Sequence, residues 1–105
     1  LGIGTNGHIA FNEPGSSFLS RTRVVNLSEQ TIKDNSRFFG TVDDVPTQAI
    51  TMGLGTIMES KKIILIASGD HKLNILNVAM NGEVTEDVPA SILQNHENVE
   101  VYYCD

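Results

Sequence analysis

A glycine-rich turn near the start of the chain carries the first residues that could do chemistry. Gly2, Gly4 and Gly7 follow the spacing G-x-G-x-x-G. His8 and Glu13 come after them, five residues apart. A carboxylate near an imidazole stabilises the imidazolium and fixes which ring nitrogen carries the proton, so such a pair can transfer protons near neutral pH. The alternative is a structural or solvent-exposed histidine, and the turn alone leaves both open.

The same glycine spacing is also found in dinucleotide-binding sites. Those sites need a helix that starts at the turn and an acidic residue about 20 positions further on. Asn12, Pro14 and Gly15 would interrupt any such helix. We therefore expect a site in a loop beyond the carboxyl end of a strand, where open α/β sheets place their sites, and no bound dinucleotide.

Two separated basic residues could bind a small anion. Lys72 lies in the first turn of a predicted helix, where a cation costs about 0.3–1 kcal/mol unless an anion sits at the helix N-terminus. Arg37 ends another predicted helix beside Phe38 and Phe39, which suggests a partly buried arginine that needs an anionic partner. An ordinary surface lysine and a helix-terminal arginine that suits the helix dipole are the alternatives.

Composition and charge exclude several classes of protein. The 105 residues have a formal net charge of -6, and residues 73–105 hold six acidic residues and no basic one. An acidic chain repels nucleic-acid phosphates, so we expect no nucleic-acid partner. The longest apolar run, 63–67, is far shorter than the about 20 residues of a membrane span, so we expect no membrane partner. The single cysteine, Cys104, favours a reducing compartment, the cytoplasm.

Hydrophobic periodicity and turn residues predict alternating strands and helices. The predicted strands cover 23–27, 49–52, 62–68 and 99–104, and the predicted helices cover 28–39, 56–60, 70–81 and 89–94. Ser28 is a suitable N-cap for the first helix. The uninterrupted apolar run in 62–68 predicts a strand buried on both faces, as in a parallel sheet. Leu73, Leu76 and Met80 predict one shared apolar helix face.

This alternation predicts an α/β fold. We expect an open, mostly parallel sheet flanked by helices, with a Rossmann-like three-layer architecture that is incomplete in this chain. The chain opens on 1–4 without a methionine, in what reads as the end of an apolar strand. We therefore expect residues 1–105 to be part of one longer domain.

Longer stretches of the sequence resemble the glucosamine-6-phosphate deaminase family, also called glucosamine-6-phosphate isomerase. LGIGTNGHIAFNEP at 1–14 is similar to the family's signature, and the likeness continues through SRTRVVNL, NSRFFG, VPTQAITMGLGTIMES, SGDHK and VPASILQNH. It covers essentially the whole chain and implies the C-terminal part of a single sugar-phosphate isomerase and deaminase domain. The related 6-phosphogluconolactonases share the glycine turn and its histidine, but Asn12-Glu13-Pro14 points away from them.

The resemblance implies conversion of glucosamine 6-phosphate and water into fructose 6-phosphate and ammonia, by ring opening, aldose–ketose isomerisation and deamination. His8 matches the histidine that moves the ring-opening proton, and Glu13 matches the carboxylate that holds it. Asn6 falls where members carry aspartate or asparagine, and an asparagine can orient His8 but cannot take a proton. Arg37 and Lys72 match the side chains that bind the substrate phosphate.

Further expectations follow from the same resemblance. Arg23 aligns near an effector-phosphate contact of allosteric members. The family's enolisation base is an aspartate that these residues do not include, so we expect the segment alone to be inactive. We expect an amino-sugar phosphate as the partner, no cofactor and no metal, and the sequence leaves a homo-oligomer open. A 6-phosphogluconolactonase-like hydrolase and a non-catalytic sugar-phosphate sensor are the alternatives.

Overall fold

The computed structural model describes residues 1–105, except for the side chain of Val42. The strands are β1 (Arg23–Asn26), β2 (Gln48–Thr51), β3 (Ile63–Ser68) and β4 (Val99–Cys104). The α-helices are α1 (Glu29–Asn35), α2 (Leu54–Met58) and α3 (Leu73–Asn81), and 3-10 helices cover Ser36–Phe38, Val42–Asp44, Asp70–Lys72 and Pro89–Asn95. Within the residues described, no helix is long and apolar enough to cross a membrane.

The strands form one parallel and one antiparallel pair. β3 and β4 run parallel and pair along their whole length. Leu1 donates its amino group to the Ile64 carbonyl and accepts the N–H of Ile66, so the start of the chain runs alongside β3 on its other edge. β1 and β2 pair antiparallel, with Arg23 opposite Thr51. The α/β class is confirmed, with less uniformly parallel strands than predicted, because the segment between β1 and β2 returns the chain in the opposite direction.

The hydrophobic core gathers side chains from the glycine-rich turn, α2, β3 and the segment Pro89–Asn95. Ile9, Leu54, Leu65 and Leu93 are at most 1% exposed there. The turn and the end of β3 are thus anchored in the same packed interior, which fixes their relative positions.

β3 is buried on one face only. Ile63, Leu65 and Ala67 are buried, whereas Ile64 and Ile66 are 41% and 58% exposed. The prediction that both faces are buried is therefore wrong for the structure described. Side chains alternate between the two faces of a strand, and the described residues cover only one of them.

The predicted helices are present, with shifts in their bounds and winding. The helix after Ser28 is α-helical for seven residues and then tightens into a 3-10 turn. α2 begins two residues earlier than predicted. In 70–81 the first three residues form a 3-10 turn. Leu76 and Met80 pack against the core as predicted, but Leu73 is 47% exposed because it lies where the 3-10 turn becomes α-helix.

Candidate active site

The glycine-rich turn lies beyond the carboxyl end of β3, next to the 3-10 turn Asp70–Lys72. Gly7 has a φ of 90°, a left-handed value that glycine adopts without strain, and its N–H closes the turn on the Gly4 carbonyl at 2.9 Å. Gly4 leaves room for the imidazole, since a Cβ there would lie 2.1 Å from Cε1 of His8. The glycines therefore place the histidine at this end of the sheet.

Behind the turn, the buried side chain of Asn12 holds the next loop in place. Its Nδ2 donates to the carbonyls of Ile9 at 3.1 Å and Met52 at 2.8 Å, and its Oδ1 accepts from Arg23 at 2.9 Å. The same loop holds Ala10 at a φ of 51°, which is unfavourable for a residue other than glycine. Three hydrogen bonds from one fully buried side chain stabilise this conformation.

Asn6 lies between the imidazole and the carboxylate predicted to hold it. Its Nδ2 donates to Oε2 of Glu13 at 2.9 Å, and its Oδ1 lies 2.8 Å from Nδ1 of His8. An ionised carboxylate only accepts hydrogen bonds, so the amide nitrogen must face Glu13 and the amide oxygen must face His8. Nδ1 therefore carries a proton, and Nε2 is the basic nitrogen of the neutral ring.

Glu13 is held on both of its oxygens. Oε1 accepts from the Thr31 hydroxyl at 2.6 Å, and the Ser28 hydroxyl oxygen lies 3.3 Å from Oε1. Burial raises the pKa of Glu13, but the hydrogen bonds from Thr31 and Asn6, followed by the charge of His8 and the Ser28 hydroxyl, together hold that pKa below its ordinary value of 4.5. The carboxylate therefore stays charged, 3.7 Å from Nδ1 of His8.

A cleft of about 850 Å³ opens beside the imidazole. Its polar and charged lining residues are Thr5, Asn6, His8, Gln30, Thr31, Asp34, Asn35, Arg37, Ser68, His71 and Lys72. The structure thus brings Asn6, His8, Arg37 and Lys72 to one cleft, with Glu13 bound to two of the lining residues.

The two cations reach the cleft in different ways. Lys72 donates through Nζ to the Ile3 carbonyl, at the edge of the glycine-rich turn. The guanidinium of Arg37 lies 4.6 Å from the ring centroid of Phe38, within the range of cation–π attraction. The prediction that Arg37 is partly buried is wrong: the residue is exposed, because α1 ends before it and both neighbouring phenylalanines face solvent.

Arg23 lies outside the cleft lining. Its Nη1 donates to Asn12 at 2.9 Å and to the Arg21 carbonyl at 3.2 Å. Arg21 forms an exposed ion pair with Glu59 at 2.8 Å. In this structure Arg23 supports the loop after the glycine-rich turn, and its contact with an effector phosphate stays a prediction.

The geometry suits proton transfer to a ligand in the cleft. Among the residues described, none forms a hydrogen bond with Nε2 of His8, so that nitrogen is free to accept a proton. The positive charge that the ring would gain is stabilised by the Asn6 oxygen and the nearby Glu13 carboxylate. In the described part of the chain, no group of three or more His, Cys, Asp or Glu residues could hold a metal ion.

Sequence reasoning missed the hydroxyls of Ser28 and Thr31. Ser28 was identified only as an N-cap, and the structure confirms that its Oγ accepts the Thr31 N–H at 3.1 Å. A second hydroxyl residue in the first turn of a capped helix can be recognised from the sequence. Nothing in the local pattern, however, shows that these hydroxyls meet a carboxylate 15 and 18 residues earlier.

Comparison with known proteins gives a consistent result. The sequence model of the family described as glucosamine-6-phosphate isomerases/6-phosphogluconolactonase matches residues 1–102. A glucosamine-6-phosphate deaminase of Staphylococcus epidermidis is 58% identical over 105 residues, which are 100% of this chain and 43% of that protein. A solved structure described as a monomeric glucosamine-6-phosphate deaminase has a TM-score of 0.95 and 51% identity, over 99% of this chain and 43% of that chain.

The fold also extends to more distant proteins. The 6-phosphogluconolactonase of Trypanosoma brucei has a TM-score of 0.73 and 22% identity, over 99% of this chain and 38% of that chain. At that identity the likeness shows the fold alone. The chain spans about 43% of the length of the curated relatives it matches.

Proposed function

This chain belongs to the family of glucosamine-6-phosphate isomerases and 6-phosphogluconolactonases, and from that premise we propose that it is part of a glucosamine-6-phosphate deaminase. The reaction converts glucosamine 6-phosphate and water into fructose 6-phosphate and ammonia. One observation carries the proposal: a histidine with an oriented, unpaired Nε2 lines the same cleft as two cations, Arg37 and Lys72.

The oriented imidazole suits opening of the sugar ring. Nε2 of His8 takes the proton of the anomeric hydroxyl while the bond between C1 and the ring oxygen breaks, and returns that proton to the ring oxygen. The products are an aldehyde at C1 and a hydroxyl at C5, and the imidazole of His8 is neutral again at the end of the step. Asn6 and Glu13 stabilise the transient imidazolium through the Nδ1 proton.

The two cations suit the 6-phosphate. Phosphate accepts hydrogen bonds from both guanidinium and ammonium groups, and such charged hydrogen bonds contribute about 1.5–3 kcal/mol each. Arg37 and Lys72 belong to different parts of the chain, so a ligand that contacts both must lie across the cleft. A ligand placed in this way would have its sugar next to His8, which lines the same cleft.

The isomerisation step needs a base that we expect outside these 105 residues, and this predicts that the chain alone is inactive. The test supplies glucosamine 6-phosphate to the full-length protein and to the isolated chain, and measures ammonia and fructose 6-phosphate. We expect both products from the full-length protein and neither from the isolated chain. Ammonia release by the isolated chain would show that the base lies within it.

Assays on the same full-length protein distinguish the deaminase from two alternatives, a 6-phosphogluconolactonase and a non-catalytic sensor. A 6-phosphogluconolactonase would hydrolyse 6-phosphogluconolactone and release no ammonia from the amino sugar. A non-catalytic sensor would bind the sugar phosphate but turn nothing over. We expect His8→Ala in the full-length protein to abolish ammonia release while the phosphate ligand still binds, since Arg37 and Lys72 are unchanged.

The proposal extends to the setting of the reaction. We place the protein in the cytoplasm, which suits the single and exposed Cys104, with an amino-sugar phosphate as its partner. One structural relative is described as monomeric, so light scattering on the full-length protein tests a monomer against the homo-oligomer that the sequence allows. Titration with amino-sugar phosphates, comparing wild type with Arg23→Met, tests the effector contact.

A further inference from the structure

We infer that Thr31 is a positioning residue, whose hydroxyl fixes the Glu13 carboxylate and through it the Asn6–His8 pair. This inference rests on the proposed function for its kinetic consequence. The orientation of the carboxylate itself is a property of the free protein.

The Thr31 hydroxyl is itself held in one orientation. Thr31 is 7% exposed, and its Oγ1 lies 2.6 Å from Oε1 of Glu13 and 2.9 Å from Oγ of Ser28. Oγ of Ser28 in turn accepts the Thr31 N–H at 3.1 Å as the N-cap of α1. With Ser28 donating to Oγ1, the single hydroxyl proton of Thr31 is directed at the carboxylate.

The hydrogen bond from Thr31 restrains the terminal side-chain torsion of Glu13. The terminal torsion of a glutamate side chain is broad and has no sharp staggered minimum. Asn6 binds one carboxylate oxygen and Thr31 binds the other. With both oxygens held, the Glu13 carboxylate cannot rotate away from Asn6, and Asn6 keeps its oxygen toward Nδ1 of His8.

The placement of Thr31 also links the carboxylate to the cleft wall. Thr31 lies in α1, and the 3-10 turn that directly continues α1 carries Arg37. The helix that holds the carboxylate therefore also leads to one of the proposed phosphate-binding cations. Movement of α1 would disturb both contacts at once.

The groups around Glu13 make the loss of the Thr31 hydroxyl measurable as a change in the pKa of Glu13. Among the side chains that the structure describes, His8, with Nδ1 at 3.7 Å, is the titratable group whose charge acts on Glu13, and the neighbouring Asn6, Ser28 and Thr31 are neutral. The Thr31 hydrogen bond lowers the pKa of Glu13. Removal of the hydroxyl should therefore raise the pH at which the carboxylate takes a proton.

The experiment compares Thr31→Val with Thr31→Ser in the full-length protein. Valine keeps the shape and removes the hydroxyl, whereas serine keeps the hydroxyl. The first measurement follows the ¹³C resonance of the Glu13 carboxyl against pH without substrate, and the second separates kcat from KM for ammonia release. Melting temperatures are measured on the same samples.

In Thr31→Val we expect the Glu13 titration midpoint to rise and kcat to fall by at least about tenfold, as for the loss of one hydrogen bond to a charged group. KM should stay within about twofold, because the cations are unchanged. Thr31→Ser should restore both the midpoint and kcat. Should the valine variant not fold, Ser28→Ala should shift the midpoint in the same direction by less.

Other outcomes overturn the inference. A lower melting temperature with an unchanged midpoint and an unchanged kcat would make Thr31 a structural residue only. A raised midpoint with an unchanged kcat would disconnect the carboxylate from catalysis. A raised midpoint in Thr31→Val, together with a wild-type protein that releases no ammonia, would support the orientation of Glu13 and refute the proposed function, so the two failures are distinct.

Discussion

The substitution Gly4→Ala should displace the imidazole of His8 without disturbing the fold. A Cβ at Gly4 would lie 2.1 Å from Cε1 of His8, whereas ordinary contact begins at 3.4 Å. The ring must therefore retreat by about 1.3 Å, the difference between these distances. A retreat of that size away from Asn6 would take the 2.8 Å contact of Nδ1 beyond hydrogen-bond range. Misplacement by about 1 Å can cost about 100-fold in rate, which is about 2.7 kcal/mol in the barrier.

The assay is kcat for ammonia release by the full-length protein. The matched control is Gly2→Ala in the same turn, where a Cβ would meet nothing within 4 Å. We expect the control to keep the wild-type kcat, and both variants to melt near the wild-type temperature, since Gly4 has no left-handed φ and the ring can move into the cleft. A wild-type kcat in Gly4→Ala would refute the proposed dependence on the His8 position.

The remaining predictions concern charge, stability and pH. Replacing Lys72 or Arg37 by Met should raise KM about 10- to 150-fold in steady-state kinetics, the loss of about 1.5–3 kcal/mol of charged hydrogen bonding, while Arg21→Met, outside the cleft, should not. Asn12→Ala should lower the free energy of unfolding by about 2–3 kcal/mol in urea, because a fully buried side chain loses three hydrogen bonds. The pKa of Glu13 is lowered in the fold, so its charged form should stabilise the protein above pH 4.5 and lose that effect as pH falls through the lowered pKa. The free energy of unfolding of wild type and Glu13→Gln, measured in urea from above pH 4.5 downward, checks this prediction. A difference in that free energy that stays constant with pH would contradict it.

The sequence by itself determined the local features of the site. The glycine spacing placed a tight turn at a strand end, and the residue types marked His8 and Glu13 as partners. Ser28 was recognisable as an N-cap because capping depends on residues within one helical turn. The order of strands and helices, and with it the α/β class, also followed from patterns a few residues long.

Only the tertiary structure decided how these pieces meet. It placed Asn6 between the histidine and the carboxylate, brought Thr31 to Glu13 across 18 residues, and set Arg37 and Lys72 in one cleft. It also left one face of β3 exposed, against the expectation from its composition. Side-chain periodicity depends on the local backbone, whereas hydrogen bonds and burial between distant segments depend on how the elements pack, which no short pattern contains.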